Sequence, residues 1–200
     1  MKKVSWTSIG ALASRSYTCG YCGNPIASEK GWHAQVAGAP RAVAYLYVCH
    51  QCSGPTFFHD LEGGMQTPGV VFGESVQDIP DAGTQALYDE ARKCTGAGCY
   101  TAAVLACRKL LMHVAVSLGA KEGEPFIVYV QFLADNHYVP PGAKGWVDHI
   151  RKKGNEANHE ISLMKREDAE ELLAFVQMLL KVIYEFPAAV VKKVGGAITT

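Results

Sequence analysis

Neither charge is in excess in this chain. Lys and Arg together number 19, as do Asp and Glu, and the sequence pI is near 7.0. A domain that grips nucleic acid by bulk charge has a pI above ~9, so that class is set aside and only a local basic patch remains open. The helical part of the sequence also lacks a short helix-turn-helix with a basic recognition helix, which weakens a DNA-binding regulator. No apolar run approaches the ~18–20 residues that cross a bilayer. The N-terminal MKKVSWTSIGALASRS is interrupted by Ser5, Thr7, Ser8 and Gly10, too polar for the apolar region of a signal peptide. The expectation is a cytoplasmic protein with no membrane partner. Its cysteines number seven, an odd count that suits a reducing compartment, where thiols serve metals or cores. With 48% hydrophobic and 19% charged residues in 200, the material suffices for one ordinary domain or a domain with a small appendage.

The cysteines that are present carry the strongest structural signal. Cys19-Gly-Tyr-Cys22 and Cys49-His-Gln-Cys52 are two CxxC pairs with 26 residues between them. A CxxC turn presents two thiolates to one ion, and two such turns supply the four tetrahedral ligands that zinc requires. Between them VAYLYVC reads as a strand. The expectation is a zinc ribbon holding one structural Zn2+ through Cys19, Cys22, Cys49 and Cys52, with no catalytic ion, because four cysteines close the shell. His33, His50 and His59 lie near enough in sequence to substitute for a cysteine. Cys94, Cys99 and Cys107 fall in helical sequence and read as core packing.

From Thr56 to Asp81 the chain is rich in Gly and Pro and reads as irregular, apart from a short strand at VVF, residues 70–72. Beyond it the periodicity is helical. Asp81 caps a helix over about 82–94; a second runs from about 98 to 118 and ends at Gly119; Phe126, Tyr129, Val130 and Leu133 mark a third. A fourth starts near Gly142 and packs through Trp146 and Ile150. The last, about 166–186, has an apolar stripe of Ala169, Leu172, Leu173, Val176, Leu179, Leu180 and Ile183. The expected fold class is mostly α, a helical bundle preceded by a small β-containing zinc ribbon. Its divisions are 15–60 for the ribbon, 61–80 for a connector, 81–187 for the bundle and 188–200 for a tail.

Between the fourth and last helices lies RKKGNEANH, residues 151–159. It gathers three cations, two amides and a histidine into nine residues. An imidazole that moves protons and a fixed cation that holds a phosphate are what a metal-independent ribonuclease needs. The plainer reading is a solvated helix end. The site residues singled out are Arg151, Lys152, Asn155 and His159, with Asn158 a weaker candidate.

With a CxxC…CxxC head and a Gly/Pro connector followed by ALYDEARKC, AAVLACRKLL, WVDHIRKKGNEANHEI and EDAEELLAFVQMLLKVIYEFP, the chain resembles, over essentially Cys19 to Pro187, a bacterial domain-of-unknown-function family, numbered four-one-four-five, assigned to the HEPN superfamily. The residues that carry the resemblance are Glu90, Ala91, Arg92, Arg108, Arg151, Gly154, Asn155, His159 and Tyr184 to Pro187. It implies a HEPN-like bundle, a homodimer and an RNA endonuclease whose two protomers form one composite site. Such enzymes carry an arginine, four to six residues, then a histidine; here seven residues separate Arg151 from His159. Lys152 and Lys153 fit the spacing but lack the two-pronged guanidinium. On a continuous helix Arg151 and His159 would stand ~12 Å apart along the axis. Arg108 is open to two readings, a phosphate contact or an inward pair with Glu90, and Met112 stands where many relatives have a glutamate.

Two functions are thus expected in parallel. One is an RNA endonuclease, as a toxin or antiphage defence effector. The other is a non-catalytic module that binds RNA, a nucleotide or a protein partner such as an antitoxin or defence component. The arginine-to-histidine spacing leans toward the second; a 200-residue chain with no fused catalytic domain leans toward the first.

Overall fold

The structure, a computed structural model, describes residues 8–35, 42–59, 65–140 and 163–195. It divides into two compact units, Met1–Val71 and Phe72–Thr200.

The first unit is a five-stranded antiparallel sheet in sequential order: β1 (Gly10–Thr18), β2 (Pro25–Gln35), β3 (Ala42–Val48), β4 (Pro55–His59) and β5 (Met65–Thr67). Register places Gly31 opposite Tyr47, and Tyr47 opposite Thr56. The next row on the same face aligns His33, Tyr45, Phe58 and Gln66. Aromatic rings knit that face: Phe58 meets Tyr17 edge-on at 5.1 Å and Tyr47 at 5.8 Å, and the Arg15 guanidinium lies 4.0 Å over the Phe58 ring. Such pairs add to area burial because ring edges and faces carry opposite partial charge. The Tyr47 hydroxyl donates to the Ala13 carbonyl at 2.8 Å, tying β3 to β1. Gly31 is obligatory for this register: a Cβ there would collide with the Leu46 carbonyl on β3.

This sheet overturns the expectation of a mostly α fold. Helix accounts for 47% of residues and strand for 22%, so the chain is mixed α and β. The cause is legible in the strands themselves. GALASRSYT and PIASEKGWHAQ alternate irregularly and are largely exposed, because the sheet relies on aromatic rows and the cysteine cluster where an ordinary strand relies on an apolar stripe. Strands β4 and β5 lie in the stretch read as irregular, and VVF at 70–72 is not a strand.

The second unit is helical: α1 (Ala82–Gly96), α2 (Tyr100–Ser117), α3 (Phe126–Asp135), α4 (Arg166–Leu180), a π-helical turn (Lys181–Glu185) and α5 (Phe186–Gly195). Asp81 caps α1 as expected, its carboxylate accepting from the Thr84 amide at 2.6 Å. Helix α2 is central and buries Val104, Cys107, Leu110, Leu111 and Val114 among its neighbours. Phe126, Tyr129, Val130 and Leu133 form the buried stripe of α3. Six of the seven stripe positions read from the last helix are fully buried in α4, with Ile183 half-buried in the π turn. The helix does not stop at Pro187. That ring would clash with the carbonyl four residues back in a regular helix, and it follows directly on the wider π turn, past which the helix continues to Gly195. Within the run Arg166–Lys193 an 18-residue window has mean hydropathy 1.6, which by length and composition reaches the measure of a membrane-crossing helix. The first half of that run is core of the helical unit.

Residues 72–79 belong to this unit as a strap laid across the helices. Arg92 donates through Nε to the Phe72 carbonyl at 3.1 Å and through Nη2 to the Gly73 carbonyl at 2.9 Å. The Tyr88 hydroxyl donates to the Glu74 carbonyl at 2.7 Å, Gln177 accepts from the Glu74 amide at 2.8 Å, and Lys181 pairs with the Glu74 carboxylate. Val76, just past these anchors, is buried in the core.

Candidate metal centre and the basic segment

The two CxxC pairs occupy equivalent hairpin turns. Cys19–Asn24 joins β1 to β2 and Cys49–Gly54 joins β3 to β4, and the same hydrogen bonds recur in each. The Cys19 amide donates to Asn24 O at 3.0 Å and the Cys49 amide to Gly54 O at 3.0 Å. Gly23 N reaches Cys19 O at 2.8 Å, and Ser53 N reaches Cys49 O at 2.8 Å. The fifth residue of each turn has positive φ, 72° at Gly23 and 59° at Ser53. These turns fold each chain segment so that both thiols point to one side.

All four sulfur atoms lie within 4.8 Å of one another. Cys19 Sγ stands 3.7 Å from Cys52 Sγ, and Cys22 Sγ 3.9 Å from Cys49 Sγ. A tetrahedron with metal–sulfur bonds of ~2.3 Å has sulfur–sulfur edges of ~3.8 Å, so the set fits one tetrahedral ion. Cys19 and Cys49 are buried, with Ile26 and Tyr17 packed about them, while Cys22 and Cys52 are partly exposed. The Tyr21 amide points at Cys19 Sγ at 3.4 Å and the Asn24 side-chain amide at Cys22 Sγ at 3.5 Å, as donors to thiolates do. Burial pushes the Cys52 thiol up to about 12, and the neighbouring sulfurs add to the rise against the Gly54 amide. Burial also opposes ionisation at Cys22, but hydrogen bonds from the Asn24 amide and the other thiols bring it down to about 7. Four thiols this close cannot all lose their protons alone, and a divalent cation removes that conflict. The cluster holds only cysteines: among the described residues none of His33, His50 and His59 joins it.

The remaining thiols divide. Cys107 is fully buried in α2, where burial pushes its thiol up to about 12, consistent with core packing. Cys99 is exposed at the N-cap of α2, outside the helix body, so it does not share a buried face with Cys107.

Arg151, Lys152, Asn155, Asn158 and His159 lie outside the described residues, as do Trp146 and Ile150 of the expected fourth helix. Arg108 is described, and it makes no pair with Glu90. It is 4% exposed on α2, with its guanidinium 4.1 Å over the Phe126 ring and Nη1 without a hydrogen-bond partner. Sequence reasoning missed the role of Arg92, although the Glu90-Ala91-Arg92 run had marked the place; its partners are backbone carbonyls in a stretch without periodicity.

No curated protein and no solved structure matches the chain. The family model described as Domain of unknown function (DUF4145) matches residues 89–194, just over half of the chain and wholly within the helical unit. The cysteine-bearing sheet stands outside that match. With the second half of α1, the Arg92 anchor, α2, α3 and α4 inside it, the chain belongs to the DUF4145 family.

Proposed function

We propose that this chain is a HEPN-type RNA endonuclease in which a zinc-stabilised sheet accompanies the nuclease module. The observation that carries the reading is the RKKGNEANH segment, which lies inside the family match and joins an imidazole, cations and amides over residues 151–159. In this reading His159 removes the proton from a ribose 2′-hydroxyl, or protonates the leaving 5′-oxygen, and a second protomer supplies the complementary group. The 2′-oxygen attacks the adjacent phosphorus, the bond to the 5′-oxygen breaks, and a cyclic phosphate remains. Arg151 or Lys152 offsets the charge that builds on the phosphate. Asn155 orients His159 or the phosphate. The reaction needs the 2′-hydroxyl, so RNA is cut and DNA is not. The metal of the four-cysteine cluster is zinc and is structural, because its ligand shell is closed by thiolates.

A second reading is favoured by one observation, the seven residues between Arg151 and His159. In that reading the module binds RNA, a nucleotide or a protein partner without cutting, and Gly154, Asn155 and His159 serve the fold. Incubation of a mixed RNA pool in EDTA with the wild type, His159→Ala and Arg151→Ala separates the two readings.

A further inference from the structure

Arg108 presents a physical problem that the core around it does not solve. Arginine cannot shed its charge at any ordinary pH, and a buried charge is tolerated when it is paired and hydrogen-bonded. Arg108 is 4% exposed, yet Nη1 has no partner and no carboxylate pairs with it among the described residues. Burial is the cause that acts on its pKa, lowering it from the ordinary arginine value. Met112, one turn on along α2, offers no charge.

The guanidinium is not loose. It stacks 4.1 Å over the ring of Phe126, which fixes its plane and leaves its hydrogen-bonding edge to be satisfied from elsewhere. Phe126 is the first residue of α3, a helix of 10 residues. Side chains lean toward the N-terminus of their helix, so the ring carries Arg108 to the positive end of α3. That end has no side-chain cap and no acidic residue in its first turn. Glu124, just ahead of it, is engaged with Lys121 at 3.1 Å. Two sources of positive potential, a buried guanidinium and a helix N-terminus without a side-chain cap, therefore adjoin, and among the described residues no carboxylate pairs with the guanidinium.

We propose that Arg108 and the N-terminus of α3 form an oxyanion-binding site, with the guanidinium as the anchor for a phosphoryl or carboxylate group of a ligand. The planar fork of arginine matches either group through two parallel hydrogen bonds. The site goes beyond the ribonuclease reading and stands whether or not the chain cuts RNA.

The test titrates inorganic phosphate, and separately acetate, into the full chain. The readouts are the Arg108 Nε–Hε resonance and the thermal midpoint of the wild type and of Arg108→Met. The expected result is a saturable shift of that resonance with at least one anion in the low millimolar range. Apparent affinity should fall at least tenfold in Arg108→Met, whose midpoint without ligand should equal or exceed the wild type. Arg108→Lys should retain part of the affinity. A response to phosphate alone assigns a phosphoryl ligand, and a response to acetate alone a carboxylate. An unmoved resonance with both anions overturns the proposal, as does a midpoint rise of equal size in Arg108→Met. The wild-type resonance decides the matter even if the methionine variant does not fold.

Discussion

Arg92 holds Gly73 from nineteen residues along the chain, its Nη2 donating to the Gly73 carbonyl at 2.9 Å. The same guanidinium takes the Phe72 carbonyl at 3.1 Å and pairs with Asp89 at 3.2 Å within α1. One side chain thus converts a Gly-containing stretch into a fixed strap. Replacing it with methionine keeps the aliphatic stem and strands two carbonyls, at a cost of about 2–3 kcal/mol. Urea denaturation followed by circular dichroism should show that loss, and Arg92→Lys, lacking the fork, should recover less than half of it. A change below ~0.5 kcal/mol would mean that the strap is held without Arg92.

Tyr88 secures the next residue of the strap, and its hydrogen bond to Glu74 O at 2.7 Å should be worth about 1 kcal/mol in a Tyr88→Phe comparison. Its titration has a definite sign. Burial raises the Tyr88 pKa above the ordinary tyrosine value, so the folded state keeps the proton that the unfolded state loses. The stabilisation is complete below pH ~10 and declines as pH rises beyond it. Tyr17, pushed up to about 12 by burial, acts in the same direction. The wild type should therefore lose stability above pH ~10 more steeply than Tyr88→Phe. Parallel curves would contradict the buried assignment.

Gly31 should be intolerant of any side chain. Its Cβ would collide with the Leu46 carbonyl, a backbone atom held by the β2–β3 ladder. Gly31→Ala should destabilise the sheet by about 3 kcal/mol or more. Gly23→Ala meets no atom and suffers only the strain of φ 72°, at about 1 kcal/mol. Comparable effects at the two positions would mean that the register of β2 against β3 is not the one described.

The metal makes a prediction of its own. Purified chain should carry one zinc per molecule by elemental analysis, and Cys49→Ala, at a buried ligand, should lose it. Removal by a thiol-reactive mercurial with chelator should abolish the dispersed amide resonances of the sheet while those of α2 and α4 persist, because so small a sheet depends on its ion. A metal-free protein with an intact sheet would contradict the structural role.

How far these features were legible depended on whether chemistry or periodicity carried them. The cysteine cluster was plain because metal ligation fixes both residue type and spacing. Helix α4 was plain too, since Ala169, Leu172, Leu173, Val176, Leu179 and Leu180 repeat along one buried face. Strands β1 and β2 were hidden because Arg15, Ser28 and Lys30 sit in them with no alternating apolar set. The extension of the last helix through Pro187 was hidden because proline ordinarily ends a helix, and only the π turn before it allows continuation. The strap was hidden for a third reason: its partners are backbone atoms, which leave no mark on residue type.

The measurement that bears most directly on the proposed function is cleavage of a mixed RNA pool in EDTA by wild type, His159→Ala and Arg151→Ala, with folding of each checked by circular dichroism. The account predicts fragments ending in cyclic phosphate from the wild type and none from either variant, with single-stranded DNA left intact. Equal RNA loss in all three, or intact RNA with all three folded, would contradict it.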